Sequence, residues 1–134
     1  MNSIKKLAVL IVEDSLLVRE RLRSMLLNLG CVENIVEAGS TPEALQSLGG
    51  FRPDAAILDL RLGSNSSGLD VLRVIKRDIP GCTTIILSNL PAVEIQETCF
   101  PSGADYCFNK AREFERVLRV LASVAGRATG SPSA

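Results

Sequence analysis

A chain of 134 residues has the length of one domain and is long enough to bury a core. It carries 15 basic and 15 acidic residues and no histidine. That balance argues against direct DNA binding or attachment to an anionic membrane surface, and it removes the commonest general base and metal ligand. Hydrophobic residues make up 46% and aromatics 4%, an aliphatic composition suited to layered α/β packing.

No apolar run approaches the ~20 residues of a bilayer-spanning helix. The lysines and apolar residues at the start are interrupted by Glu13-Asp14 with no small-residue cleavage site before them, so they do not read as a signal peptide. A cytoplasmic protein is expected. Cys31, Cys82, Cys99 and Cys107 form no CxxC pair, and reduced, packed thiols are the expectation in that compartment.

In chain order, Leu7 to Val12 reads as a strand. Asp14 or Ser15 caps a helix with apolar positions Val18, Leu22, Met25, Leu26 and Leu29, closed by Gly30. Val32 to Ala38 is a weaker strand, broken by Glu33, Asn34 and Glu37, and is placed at or near an edge. Ser40-Thr41-Pro42-Glu43 combines a capping hydroxyl, a first-turn proline and a glutamate three residues on, so it opens a short second helix that stops at Gly49-Gly50.

Asp54 to Asp59 reads as the central strand, its apolar run from Ala55 ending abruptly in a carboxylate, the pattern of a strand buried on both faces. A polar loop from Arg61 to Gly68 follows, flexible by composition. A third helix is expected from about Leu69 to Asp78, then a strand from Thr83 to Ser88. The fourth helix starts at Pro91 and is expected to end at Pro101. The last strand, 105–108, leads through Asn109 to Lys110. The final helix is expected from near Ala111, burying Phe114, Val117, Leu118, Leu121 and Val124. The domain then spans 6–127, with 128–134 a disordered tail. Five β units alternating with five α units through short loops imply right-handed crossovers and a parallel sheet.

Such a sheet gathers its strand ends on one rim, where open α/β folds place their ligands. Glu13 and Asp14 follow the first strand, Asp59 the third, Ser88 ends the fourth, and Lys110 follows the fifth. Three carboxylates about 5 Å apart repel by on the order of 3 kcal/mol per pair at an effective dielectric near 20. The arrangement therefore calls for a cation, and an all-oxygen donor set with open positions favours Mg2+. Asp59 is the candidate nucleophile, since a carboxylate can accept a phosphoryl group as an aspartyl phosphate.

With Gly103-Ala104-Asp105-Tyr106 ahead of the lysine, these features in this order resemble the receiver domain of two-component response regulators across residues 6–127. The resemblance implies a flavodoxin-like, doubly wound five-stranded sheet of order 2-1-3-4-5 with five helices. It implies Mg2+ ligation by Glu13, Asp14, Asp59 and the backbone carbonyl of Arg61. It also implies phosphorylation of Asp59 assisted by Ser88 and Lys110, with Ser88 and the residue at 107 as switch positions. The phosphodonor would be a sensor histidine kinase or a histidine phosphotransfer protein. The output would be altered protein contact through the fourth helix, last strand and last helix. The protein would be no enzyme beyond its own phosphorylation and slow dephosphorylation, a stand-alone receiver whose downstream target the sequence does not name.

The chain departs from the family's pattern in several places. Glu13 replaces the commoner Asp. Cys107 stands where the switch aromatic usually does, and strand alternation sends Tyr106 to the other face. Ala111 and Gly63 replace frequent prolines. Arg61 and Leu90 border the phosphoryl position and are expected to tune hydrolysis. Among rivals, a haloacid-dehalogenase-type phosphatase needs a second carboxylate at 61, where Arg61 stands. A flavodoxin-like FMN carrier needs a Ser/Thr/Gly-rich first loop, which Glu13-Asp14 is not. The remaining alternative is a pseudo-receiver binding module that is never phosphorylated.

Overall fold

The computed structural model describes residues 6–62 and 67–128. Residues 63–66, including Gly63, and 129–134 of the tail expected at 128–134 lie outside the described residues, while Ala128 belongs to the last helix rather than to a tail. The described elements are β1 (Leu7–Val12), α1 (Leu16–Leu29), β2 (Val32–Ala38), α2 (Thr41–Leu48) and β3 (Ala55–Leu58). They continue as α3 (Gly68–Asp78), β4 (Thr83–Ser88), α4 (Ala92–Ser102), β5 (Tyr106–Asn109) and α5 (Arg116–Ala128).

The strands form one parallel sheet in the order β2-β1-β3-β4-β5. The flavodoxin-like topology is therefore as expected. Alternation along the strands builds two apolar layers. One joins Val9, Ile11, Ile57 and Ile85 to Leu22 and Leu26 of α1 and Val117 and Leu121 of α5. The other joins Leu10, Ala56, Leu58 and Ile86 to Ala44 of α2 and Val71, Leu72 and Ile75 of α3. Tyr106 packs with the first layer and Cys107 with the second, as the period of two requires.

Local chemistry sets the helix ends. Ser15, rather than Asp14, caps α1 by accepting the Val18 amide, and Gly30 closes it at φ 84°. Ser40 and Ser67 cap α2 and α3 in the same way. β2 pairs only with β1 and is an edge strand, as its charge pattern indicates.

Three expectations need correction. Pro101 does not end α4, which runs to Ser102; the stop is Gly103 at φ 82°. The Ser102 hydroxyl donates to the Cys99 carbonyl at 2.7 Å, so a last-turn carbonyl keeps a donor near a proline that has none to give.

α5 starts at Arg116, not near Ala111. Asn109 Oδ1 accepts the amides of Ala111 and Arg112, and three successive three-residue hydrogen bonds lead into the helix, a tighter path than an α-turn. Arg112 and Glu115 thus lie in this turn, while Arg116 and Arg119 lie on α5. Leu118 and Val124 are only half-buried; Val120 and Ala125 are buried instead.

The third correction concerns the cysteines. Cys99 of α4 and Cys107 of β5 form a disulfide, with Cα atoms 6.2 Å apart, whereas Cys31 and Cys82 are free and buried. The partners come from a helix and the strand after it, so no short-spacing motif announces them.

The α4–β5 turn is fastened to β4 by Asp105. Its Oδ2 accepts the Thr84 amide at 2.8 Å and the Thr84 hydroxyl at 3.0 Å. Burial opposes ionisation of Asp105, but these bonds and the Lys76 ammonium outweigh it and hold the carboxyl below its usual range. A carboxylate with a depressed folded-state pKa adds stability above its unfolded-state pKa, and this is lost as pH falls through the folded value. Asp105→Asn is expected to cost about 1–2 kcal/mol at pH 7. In urea titrations its deficit relative to the parent chain should shrink as pH falls below the ordinary value of 3.8.

Candidate functional site

Strand register brings the chemistry to one rim. Val12 pairs with Leu58, so Glu13 and Asp59 leave the sheet at the same level. Leu58 pairs with Ile86 and Ser88 with Asn109, which sets Ser88 and Lys110 beside them. The Asp59 amide donates to the Val12 carbonyl at 2.9 Å, and the Lys110 amide to the Ser88 carbonyl at 2.8 Å. The ladder therefore extends one bond past the strands and holds the site's backbone.

Glu13, Asp14 and Asp59 each offer a carboxylate oxygen within 4.8 Å of the others. Glu13 and Asp59 are buried and Asp14 is exposed. Lys110 Nζ donates to Asp59 Oδ2 at 3.0 Å and also to Glu13 Oε1. The second Glu13 oxygen accepts the Ser15 amide at 2.9 Å, and Asp59 Oδ1 accepts the Arg61 amide at 3.3 Å. Ser88 Oγ accepts the Leu90 amide at 3.1 Å. Together with Arg61 and Leu90 these groups line an open cleft of ≈ 580 Å³. The expected site residues thus converge, except Cys107, which lies in the layer beneath and is tied to α4.

The electrostatics are those of under-compensated acid. Burial raises the Glu13 pKa and the Asp59 charge adds to it; the Lys110 and Ser15 bonds offset only part of the rise. Burial alone would lower the Lys110 pKa, but its bonds to Glu13 and Asp59 outweigh burial and raise it. One ammonium against three carboxylates leaves room for a further cation. Hard oxygen donors with one exposed member suit an ion that keeps several waters.

Three positioning residues were not singled out from sequence. A Cβ at Gly68 would meet the Asp59 carbonyl oxygen at 2.1 Å, so only glycine lets α3 start this close to the carboxylate's backbone. The signal available was a glycine following a capping serine. Arg19 donates to the Glu13 carbonyl at 2.7 Å while paired with Glu37 of β2, bracing the acidic turn. Asn109 caps the turn after Lys110 and donates to the Leu90 carbonyl at 3.4 Å.

The sequence matches the family described as response regulator receiver domain over residues 9–122. A relative described as "Probable transcriptional regulatory protein TcrX", from Mycobacterium tuberculosis, is 31% identical over 119 residues, covering 89% of this chain and 50% of its own. This chain therefore spans about half the length of that relative. The receiver domain of the Francisella response regulator 1452 superposes with a TM-score of 0.79 at 19% identity, over 92% of this chain and 99% of that one. A Burkholderia pseudomallei response regulator protein, solved with a phosphorylated aspartic acid, calcium ion and citrate, gives a TM-score of 0.75 at 23% identity, over 92% and 71%.

Mg2+ should raise the thermal midpoint of the metal-free chain, by about 2.7 kcal/mol of stability at a hundredfold excess over its dissociation constant. Asp14→Asn, at an exposed carboxylate, should cut that gain by more than half while leaving the metal-free midpoint unchanged or higher. Gly68→Ala should cost roughly 1–3 kcal/mol in chemical denaturation, because backbone must move to admit the methyl.

Proposed function

The chain belongs to the response regulator receiver domain family, and from that premise we propose that it is a phosphoacceptor in which Asp59 takes a phosphoryl group from a sensor histidine kinase or a histidine phosphotransfer protein. The observation that carries this reading is the pairing of Asp59 with Lys110 at 3.0 Å inside the three-carboxylate cluster. A buried nucleophilic carboxylate, a fixed ammonium and a cation-ready donor set are what phosphoryl transfer needs, since that chemistry is mainly positioning and charge neutralisation.

Mg2+ is the cation such donors suit; Glu13, Asp14, Asp59 and the Arg61 carbonyl would hold it, and when bound it would neutralise charge on the phosphoryl oxygens. Asp59 presents a carboxylate oxygen to the incoming phosphorus. Lys110, already within reach of both buried carboxylates, compensates charge on a second oxygen. Ser88 turns its hydroxyl towards a third. That turn releases the Leu90 amide, and with it the loop entering α4, so chemistry at the rim becomes a change in the α4–β5–α5 face. Signalling by protein contact follows, inside the cytoplasm, with no turnover of an external substrate beyond phosphorylation and dephosphorylation of the chain itself. Among the described residues no helix is long and apolar enough to cross a membrane. The Burkholderia protein's phosphorylated aspartate supports the reading by likeness of fold.

The test is incubation with acetyl phosphate and Mg2+ followed by intact mass. A gain of ~80 Da that needs Mg2+ and is lost in Asp59→Asn supports phosphorylation at this carboxylate. No adduct would favour the non-phosphorylated binding module. If Arg61 and Leu90 control water access, Arg61→Asn and Leu90→Glu should change the half-life of the phosphorylated chain by at least severalfold; unchanged half-lives would reject that role.

A further inference from the structure

The phosphoacceptor reading does not use the Cys99–Cys107 pair, although it spans the two elements that would carry the signal. Cys99 lies in α4 and Cys107 in β5, with Cα atoms 6.2 Å apart, a separation a disulfide bridges without moving backbone. Both residues are half-buried, so a small thiol reagent can approach. Among its described side chains α4 is otherwise lightly held. Ile95 is its one buried side chain among the described residues, and its N-terminus at Pro91 has no side-chain cap.

The pair also sits where movement at the rim would pass. Cys107 is level with Ile86 of β4, two residues before Ser88, and two residues before Asn109, whose amide group holds the Leu90 carbonyl. A covalent tie at this point fixes α4 to the strand that delivers Lys110. The loop that Ser88 would release runs directly into that helix.

We propose that Cys99 and Cys107 form a reversible redox lock on the α4–β5 face, which restrains the phosphorylation-linked shift of α4 when oxidised and permits it when reduced. This inference rests on the phosphoacceptor reading for its output, but not for the cross-link itself. The oxidant is a disulfide donor such as oxidised glutathione. One protein thiolate attacks a donor sulfur, breaking the donor S–S bond and releasing one thiol. The second protein thiolate then attacks the mixed disulfide, forming the Cys99–Cys107 bond and releasing the second thiol. Two electrons pass from the protein sulfurs to the donor, and the two protons end on the released thiols. A dithiol reverses the sequence. Selectivity follows from burial. Cys31 and Cys82 are enclosed, and burial with the nearby Asp105 and Asp54 carboxylates pushes the Cys82 thiol up to about 12, which leaves it no thiolate near neutral pH.

The experiment takes the full chain equilibrated with oxidised glutathione or with dithiothreitol. Free thiols are blocked with N-ethylmaleimide, cross-links are mapped by peptide mass, and phosphorylation by acetyl phosphate and Mg2+ is measured on each form. The expected result is a Cys99–Cys107 cross-link in the oxidised form, with a phosphorylated fraction or rate at least about fivefold below the reduced form. Cys99→Ser should phosphorylate like the reduced chain under both conditions. Glutathione on single cysteines without a cross-link, or a cross-link with equal phosphorylation in both forms, overturns the lock. Adduct formation without any cross-link sinks this inference alone. A cross-link with no adduct in either form defeats the phosphoacceptor reading and the lock's output with it, while the redox pair itself stands.

Discussion

The ammonium of Lys110 between the carboxylates of Glu13 and Asp59 is the interaction on which the rest of this structure turns. Its side chain is only 12% exposed, and both partners are more buried still. Removing such a cation would leave two buried acids facing each other, which is far costlier than losing a surface pair. The geometry that avoids this cost comes from the sheet. Register places Glu13 level with Asp59, and one backbone bond from Lys110 to Ser88 fixes where the lysine side chain begins. Compensation is nonetheless partial. The raised Glu13 pKa records a carboxyl that burial and a neighbouring charge make reluctant to ionise, and the exposed Asp14 completes a donor set for a hard divalent ion.

Much of this was legible in the sequence for a physical reason. A short apolar run ending in a charge can be read as a strand buried on both faces with a functional end, and Asp59 fits that pattern without ambiguity. Alternation then assigned Tyr106 and Cys107 to opposite faces correctly. What stayed hidden depended on three-dimensional approach rather than on periodicity. The need for glycine at 68 is visible only once the Asp59 carbonyl is seen 2.1 Å from where a methyl would go. The early start assigned to the last helix failed because the amides of Arg116, Val117 and Leu118 reach back only three residues, a tighter turn that postpones the α-helix to Arg116. Pro101 misled in the opposite direction, since Gly103 two residues on makes the break.

The two ends of the sheet's far side are built differently. β2 is braced to α1 by Arg19 and Arg23 on Glu37, which steadies the acidic turn from behind. β5 relies on Asp105 below, Asn109 above and the bond from Cys107 to α4 between them. The acidic turn thus has ion-paired support behind it, whereas α4, among its described side chains, buries only Ile95. Local stability that varies in this way is what lets one part of a small domain move while the core stays packed.

Asp59, the carboxylate beside Lys110, is the group proposed to react. Reductive trapping tests this most directly: the chain is treated with phosphodonor and Mg2+, reduced with borohydride so that an acyl phosphate becomes homoserine, and then sequenced. Homoserine is expected at position 59 and nowhere else. Homoserine at position 14, or aspartate recovered intact at 59 from a chain shown to carry phosphate, would contradict this assignment.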